Sequence, residues 1–256
     1  MRTGILTFVM WLVWAGMAGA QSVDDDVSAY FAAATISERT AARDRLEAAA
    51  NEGNDLAAFV TGTAMFFDAV QGFGTELARH GFESPSSFMV PLFRLPVPEN
   101  KDPEPLDYVK FRKIFEDFET RLAASSARMG TVSETADIAI DVDFASFGLD
   151  LNGDGAISKQ ESVAAIIQAI QPGGRRNSDP PASMSFRFDR ADGYWLQGYA
   201  NFLMAALDFW LAHDFELAFN QSFHMFFPAL HYPCRMIWYP ISRTNGMQGC
   251  CYPNGS

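Results

Sequence analysis

The chain has 256 residues, of which 48% are hydrophobic and 20% are charged. This composition is typical of a globular protein with a sizeable core, and it excludes a wholly disordered chain. The formal net charge of −12 argues against nucleic acid and against an anionic membrane surface as partners, because both would repel the protein. Cations are the small partners that this charge favours.

The first residues have the pattern of a secretory signal peptide. One basic residue, Arg2, precedes an apolar run that ends in Ala18-Gly19-Ala20, and a signal peptidase recognises small side chains of this kind. We therefore predict a signal peptide at residues 1–20 and an exported mature protein, periplasmic or extracellular, with no membrane attachment after cleavage. An uncleaved anchor helix is the alternative, but the apolar run is short for a membrane span.

Four stretches of the chain have apolar residues at helical spacing: 27–51, 54–80, 106–129 and 188–227. Between the second and the third, residues 84–106 contain six of the thirteen prolines and many apolar side chains, which predicts an extended segment packed against the helices. The fourth stretch is dense in aromatic residues, and we expect them in the core, because such stripes are more often core than a ligand site. They include Tyr194, Trp195, Tyr199, Phe202 and Phe209.

The period changes in the middle of the chain. Residues 138–145 alternate between large apolar side chains and small or acidic ones, which predicts a strand, and residues 162–171 predict a short helix. We expect a mainly α-helical domain over residues 21–228, in which this extended segment leads through a loop into the short helix. Residues 229–256 have no clear period and are expected to be an irregular tail that contains the cysteines.

The three cysteines leave two interpretations open. In an oxidising compartment Cys234 could pair with Cys250 or Cys251, which would leave one thiol over. A zinc site that combines two cysteines with His224 and His231 is the alternative, although the spacings match no standard zinc pattern.

The loop between the predicted strand and the short helix, DLNGDGAISKQE at residues 150–161, carries oxygen atoms at regular intervals. Gly155 stands at the sixth position, where a sharp turn requires a residue without a side chain, and Ile157 stands at the eighth. The candidate ligands at positions 1, 3, 5, 7, 9 and 12 are Asp150, Asn152, Asp154, Ala156 through its backbone carbonyl, Ser158 and Glu161.

This loop resembles the calcium-binding loop of EF-hand proteins at every defining position, over 12 of the 256 residues. The resemblance implies that Ca²⁺ is the bound ion, held by the six residues named above. Two features depart from the family: the segment before the loop alternates like a strand, and the chain contains no second copy of the loop. We therefore expect a structural ion rather than a sensor, with a dissociation constant on the order of 10⁻⁴ to 10⁻³ M because only three ligands are carboxylates.

No sequence motif for catalysis occurs in the chain. The candidates that remain for acid–base or metal chemistry are His213, Asp214 and His224, because an eleven-residue separation could place the two histidines on one face of a helix. The sequence favours an exported calcium-binding protein in which the ion supports an interaction surface for a protein partner. A calcium-stabilised hydrolase or ligand-binding enzyme is the alternative, and the sequence alone does not decide whether the protein is an enzyme.

Overall fold

A computed structural model of the chain describes residues 22–83, 95–171, 179 and 181–230, together with the backbone of residues 234–240 and 247–253. The predicted signal peptide, residues 1–20, lies outside the described residues. The fold is mainly α-helical, as predicted from the sequence.

Helices account for most of the described chain, and the strands form two small antiparallel pairs. The helices are α1 Val23–Ala32, α2 Ile36–Asn51, α3 Asp55–Arg79, α4 Tyr108–Met129, α5 Val163–Ile170, α6 Arg190–Leu211 and α7 Glu216–Ser222. The strands are β1 Ala139–Asp143, β2 Ser185–Asp189, β3 Cys234–Pro240 and β4 Met247–Pro253. Short 3₁₀ turns occur at Lys159–Glu161 and Phe223–Met225.

The helices begin where the local sequence provides side-chain caps. At α2 the Thr35 hydroxyl accepts a hydrogen bond from the Glu38 backbone N–H at 3.3 Å, and the Glu38 carboxylate accepts one from the Thr35 N–H at 3.2 Å. Ser22 and Asp25 form the same reciprocal pair at the start of α1. Each pair satisfies two backbone donors that have no partner inside the helix, so α1 and α2 remain two helices with a fixed connection.

Helix α3 lies at the centre of the domain and packs against α2, α4 and α6. Its contact with α4 includes stacked rings of Phe73 and Phe118, whose centroids are 4.6 Å apart. The buried Ser125 hydroxyl of α4 donates a hydrogen bond to the Gly62 carbonyl of α3 at 2.7 Å. The two backbones approach closely here, because a Cβ atom placed on Gly62 would lie 2.5 Å from the Met129 Cγ.

By length and composition, α3 could also cross a membrane: its mean hydropathy reaches 1.3 over a membrane-length stretch. The sequence analysis expected no membrane attachment after residue 20, and α3 is the helix among the described residues that meets this test. However, 61% of that stretch is buried inside the domain. The central helix of a soluble core has these same properties, so the hydropathy alone is weak evidence for a membrane span.

The predicted strand before the loop is present as β1, and it pairs with a strand that the sequence did not predict. Strand β2 runs antiparallel to β1, with Val142 opposite Phe186. The sequence predicts a helix from residue 188 onward, whereas residues 188 and 189 belong to β2. Phe144 contacts the rings of both Phe186 and Phe188, so the short pair is fixed by aromatic packing.

The expected burial of the aromatic residues of α6 is wrong for one face of that helix. Trp195, Phe202 and Phe209 are 67%, 65% and 67% exposed, and Tyr194 and Tyr199 are also exposed. Helix α6 packs on α4 through the opposite face, whose buried residues are Ala200, Leu203 and Leu207. Both faces carry apolar residues at helical spacing. The face with the smaller, aliphatic side chains is the one that packs against α4.

The two remaining segments are partly described. Leu95 and Val97 are buried, as predicted for the proline-rich segment, whereas residues 84–94 lie outside the described residues. The tail at residues 229–256, which was expected to be irregular, contains the β3–β4 hairpin instead. Its backbone register places Cys250 opposite Ile237 and Cys251 opposite Met236. The cysteine side chains and His231 lie outside the described residues, so the disulfide and zinc interpretations stay predictions.

Two glycine substitutions test the α3–α4 contact. We expect Gly62→Ala to destabilise the protein by about 1 to 3 kcal/mol, because the added methyl group collides with Met129. The control is Gly198→Ala in α6, where no atom lies within 4 Å of the added carbon, and it should stabilise by about 0.5 to 1 kcal/mol through helix propensity alone. Chemical denaturation measures both changes, and an equal response of the two variants would contradict the close contact.

Candidate metal site in the 150–161 loop

The two ends of the loop are held together by backbone hydrogen bonds. The Leu149 N–H donates to the Glu161 carbonyl at 2.8 Å, and the Val163 N–H donates to the Phe147 carbonyl at 2.8 Å. Gly148 and Ser162 form an isolated antiparallel bridge between these bonds. A Cβ atom at Gly148 would lie 2.5 Å from the Ile157 Cγ2, so this position requires glycine for a close approach. The loop is therefore a closed unit that joins β1 to α5.

Asp150, the first candidate ligand, is buried and organises the first half of the loop. Its Oδ1 accepts hydrogen bonds from the backbone N–H groups of Gly153 at 2.7 Å and Asp154 at 3.1 Å. Its Oδ2 accepts one from the Gly155 N–H at 2.8 Å. Gly153 and Gly155 have φ angles of 75° and 85°, and this left-handed conformation turns their N–H groups toward the carboxylate.

Glu161, the last candidate ligand, is also buried and closes the second half. Its Oε1 accepts hydrogen bonds from the backbone N–H groups of Leu151 at 2.9 Å and Asn152 at 3.4 Å. Its Oε2 accepts two from Ser158, from the backbone N–H at 2.9 Å and from the hydroxyl at 2.7 Å. One carboxylate thus connects the start of the loop to its ninth position.

The remaining candidate ligands lie at the exposed tip of the loop. The Asp154 N–H donates to the Asn152 Oδ1 at 2.9 Å, and the Asn152 amide donates to the Asp154 Oδ2 at 3.0 Å. The Asp154 Oδ1 accepts a hydrogen bond from the Ala156 N–H at 2.8 Å. These residues are exposed, in contrast to the buried carboxylates of Asp150 and Glu161.

The donor set fits a calcium ion by its chemistry, because all six candidate ligands offer oxygen. However, the ligand side chains are not yet arranged around a common ion position. Within the described residues, no three side chains of His, Cys, Asp or Glu lie close enough together to hold a metal ion. Each carboxylate oxygen of Glu161 already accepts two hydrogen bonds, which uses both of its lone pairs. Bidentate binding by Glu161 therefore requires some of these N–H or O–H donors to give way to the ion.

Three helix-borne side chains attach the loop to the domain. The Asp150 N–H donates to the Gln71 Oε1 at 3.0 Å, and the Thr75 hydroxyl donates to the Asp150 carbonyl at 3.1 Å. Both partners lie on α3. The third is Arg39 of α2, whose Nη1 donates to the Gly148 carbonyl at 2.7 Å. The start of α2 also contacts the loop directly, because the Ile36 N–H donates to the Gly155 carbonyl at 3.3 Å.

Arg39 is a buried cation beneath the loop. Its guanidinium lies over the Phe147 ring, 4.5 Å from the centroid. Burial lowers the pKa of Arg39, and the negative charges of Asp68 and Asp150 oppose that shift. Among the ion pairs of the described residues, none includes Asp150 or Glu161. Hydrogen bonds from the backbone and from the Ser158 hydroxyl thus satisfy these two carboxylates, and the more distant Arg39 balances part of the charge.

The sequence did not indicate Arg39, Gln71, Thr75 or Gly148 as parts of the site. Thr75 and Gln71 precede Asp150 by 75 and 79 residues, and Arg39 precedes Gly148 by 109 residues. Arg39, Gln71 and Thr75 lie in helices, and Gly148 lies just before the loop. The sequence around each of them shows only the apolar pattern of a packed element, with no sign of a ligand site. Their role follows from the docking of the loop against α2 and α3, which a single sequence does not display.

Among the described residues, the alternative group of His213, Asp214 and His224 is not brought together as a metal-binding cluster. All three residues are exposed, and within the described part of the chain no metal-binding cluster includes them. The His213 ring, just after the end of α6, lies within hydrogen-bonding distance of the Phe209 carbonyl in the last turn of that helix, at 2.7 Å. The pKa of Asp214 is held below its usual value, chiefly by the backbone N–H of Glu216 and next by the hydroxyl of Tyr108.

Comparisons of the chain with protein-family models, with curated proteins and with solved structures find no match. The candidate site is therefore argued from the chemistry and the contacts of the loop itself.

Removal of the Glu161 carboxylate tests its role in closing the loop. In excess EDTA, we expect Glu161→Ala to lower the free energy of unfolding by about 2 to 4 kcal/mol, because four donors lose their acceptor and the Leu151 N–H is buried. The control is Lys159→Ala, an exposed residue of the same loop, which should change it by less than about 0.5 kcal/mol. Equal stability of the two variants in urea denaturation would contradict the hydrogen bonds described above.

Proposed function

We propose that the protein is an exported calcium-binding protein in which one EF-hand-like loop, residues 150–161, holds a structural ion. The observation that carries this proposal is the placement of two buried carboxylates, Asp150 and Glu161, at the two ends of a loop whose remaining ligand positions also offer oxygen. Gly155 adopts the left-handed conformation that the sixth position of such a loop requires.

The proposed role of the ion is structural. A loop that contacts α2 and α3 and leads into α5 joins α5 to two helices that are distant from it in sequence. Asp150, Asp154 and Glu161 place three negative charges within twelve residues of a protein whose net charge is −12. A divalent cation would offset their mutual repulsion, and any ligand that binds the native state stabilises it relative to the unfolded chain.

The interaction surface that the ion supports is proposed to be the exposed aromatic face of α6, formed by Trp195, Tyr199, Phe202 and Phe209. Large exposed apolar residues in a row are uncommon on a soluble monomer, and aromatic residues are enriched where proteins meet. A protein partner is the occupant that this composition favours. Export rests on the signal-peptide pattern of residues 1–20, and calcium concentrations outside the cell suit a weak site.

Calcium should raise the melting temperature of the mature protein. With a dissociation constant on the order of 10⁻⁴ to 10⁻³ M, 10 mM Ca²⁺ is about 10 to 100 times that constant and stabilises the native state by about 1.4 to 2.7 kcal/mol. Calorimetric titration of the chelator-stripped protein should show one site, and Mg²⁺ should bind more weakly because it tolerates the large, flexible ligand set poorly.

The variant that tests the site without disturbing the buried hydrogen bonds is Asp154→Ala. Asp154 is exposed, so its removal should leave the fold intact in EDTA but weaken calcium binding by tenfold or more. The matched control, Asp141→Ala, removes an equal charge from an exposed position in β1 and should bind calcium like the wild type. No calcium-dependent change in melting or heat, in wild type and both variants, would refute the proposal.

A further inference from the structure

A second candidate site borders the base of the loop, in an apolar cavity of about 460 Å³ whose lining includes Leu149 and Val163. Its walls come mainly from three helices and include Phe67 and Val70 of α3, Ile167 and Ile170 of α5, and Trp195 and Tyr199 of α6. The volume falls within the range of about 300 to 1,000 Å³ that is usual for small-molecule sites. Almost every side chain that lines the cavity is aliphatic or aromatic.

Two polar side chains of the lining, Thr63 and Asp192, are already engaged within the protein. The Thr63 hydroxyl donates to the Phe59 carbonyl at 2.9 Å inside α3. The Asp192 Oδ2 accepts a hydrogen bond from the Asp189 N–H at 2.8 Å, as part of the cap of α6. A cavity with so few available polar partners holds water poorly and favours apolar contents. The Asp192 carboxylate also disfavours an anionic ligand, as does the net charge of −12.

An exposed row of aromatic rings begins at the wall of the cavity. The rings of Trp195 and Tyr199 are stacked, with centroids 5.5 Å apart and planes 6° apart, and Tyr199 also stacks on Phe202 at 6.4 Å. Trp195 and Tyr199 both line the cavity and both are exposed to solvent. They therefore form its entrance, where flat apolar surfaces are available to a ligand that arrives from water.

From these observations we propose that the cavity binds a neutral, apolar small molecule, such as one built from a hydrocarbon chain or an aromatic ring system. The ligand gains the transfer free energy of its apolar surface and requires no hydrogen-bond partner inside. The charged side chain at the rim selects against carboxylates and sulfonates. Binding of this ligand requires no metal ion, so this proposal and the calcium proposal can fail separately.

The test compares two fluorescent probes with the same anilinonaphthalene skeleton, the neutral N-phenyl-1-naphthylamine and its anionic sulfonate, 8-anilino-1-naphthalenesulfonate. The mature protein should bind the neutral probe at one site with enhanced emission, and it should bind the sulfonate at least about tenfold more weakly. Measurement in EDTA and again in calcium keeps this result distinct from the fate of the metal site. Failure of the neutral probe to bind, or a preference for the sulfonate, would overturn the proposal.

Variants locate the binding on the protein. Ile167→Trp fills the cavity and should abolish binding, while Trp195→Ala removes part of the entrance and should weaken it several-fold. The control is Phe209→Ala, an equally exposed aromatic residue of α6 that does not line the cavity. Circular dichroism and melting curves identify a variant that fails to fold, and Trp195→Ala then carries the test because its side chain is exposed.

One further outcome would overturn the proposal. An equal loss of probe affinity in Trp195→Ala and Phe209→Ala would mean that the probe binds the aromatic face of α6 and not the cavity. The proposal is supported if the neutral probe loses affinity for Trp195→Ala and for Ile167→Trp and still binds Phe209→Ala like the wild type.

Discussion

The burial of two carboxylates, Asp150 and Glu161, is the constraint on which this structure depends. Each is only 4% exposed, and a buried charge that is left without partners would destabilise the fold severely. The chain meets this constraint by folding its own backbone around them, so that seven hydrogen bonds reach the four carboxylate oxygens. The loop is therefore rigid at its two ends and exposed only at its tip, where Asn152 and Asp154 lie.

The same constraint explains why the loop is joined to distant helices. A buried carboxylate needs a buried environment, and α2 and α3 provide it through Arg39, Gln71 and Thr75. Arg39 contributes a positive charge that is itself buried against Phe147. An ion at the loop would act on a scaffold that is already closed by hydrogen bonds, and its effect is then to replace donors at Glu161 rather than to fold a disordered segment. This is the physical difference from an EF-hand sensor, in which binding opens a pair of helices.

Local chemistry explains what the sequence could predict. The long helices follow from apolar periodicity, and the loop follows from the spacing of oxygen atoms around Gly155, because both patterns are contained in a few turns of chain. Strand β2 was missed because five residues beside a Pro- and Gly-rich segment give too short an alternation. The aromatic face of α6 was assigned to the core because Trp195 and Phe202 recur at helical spacing as Leu203 and Leu207 do. Periodicity identifies a face but does not tell which of two apolar faces meets a neighbour.

Helix α5 connects the two candidate sites. Its first N–H groups, from Val163 and Ala164, donate to the carbonyls of Phe147 and Phe144 in the arm that enters the loop. Further along, Ile167 and Ile170 form a wall of the apolar cavity. Glu161 lies two residues before this helix, so the carboxylate that closes the loop and one wall of the cavity are carried by consecutive residues of the chain. The opposite wall, on α6, has no direct hydrogen bond to the loop among the described residues. A ligand held between α5 and α6 would thus connect α5, which is fixed by the loop, to α6, which in the described part of the chain has no direct hydrogen bond to the loop.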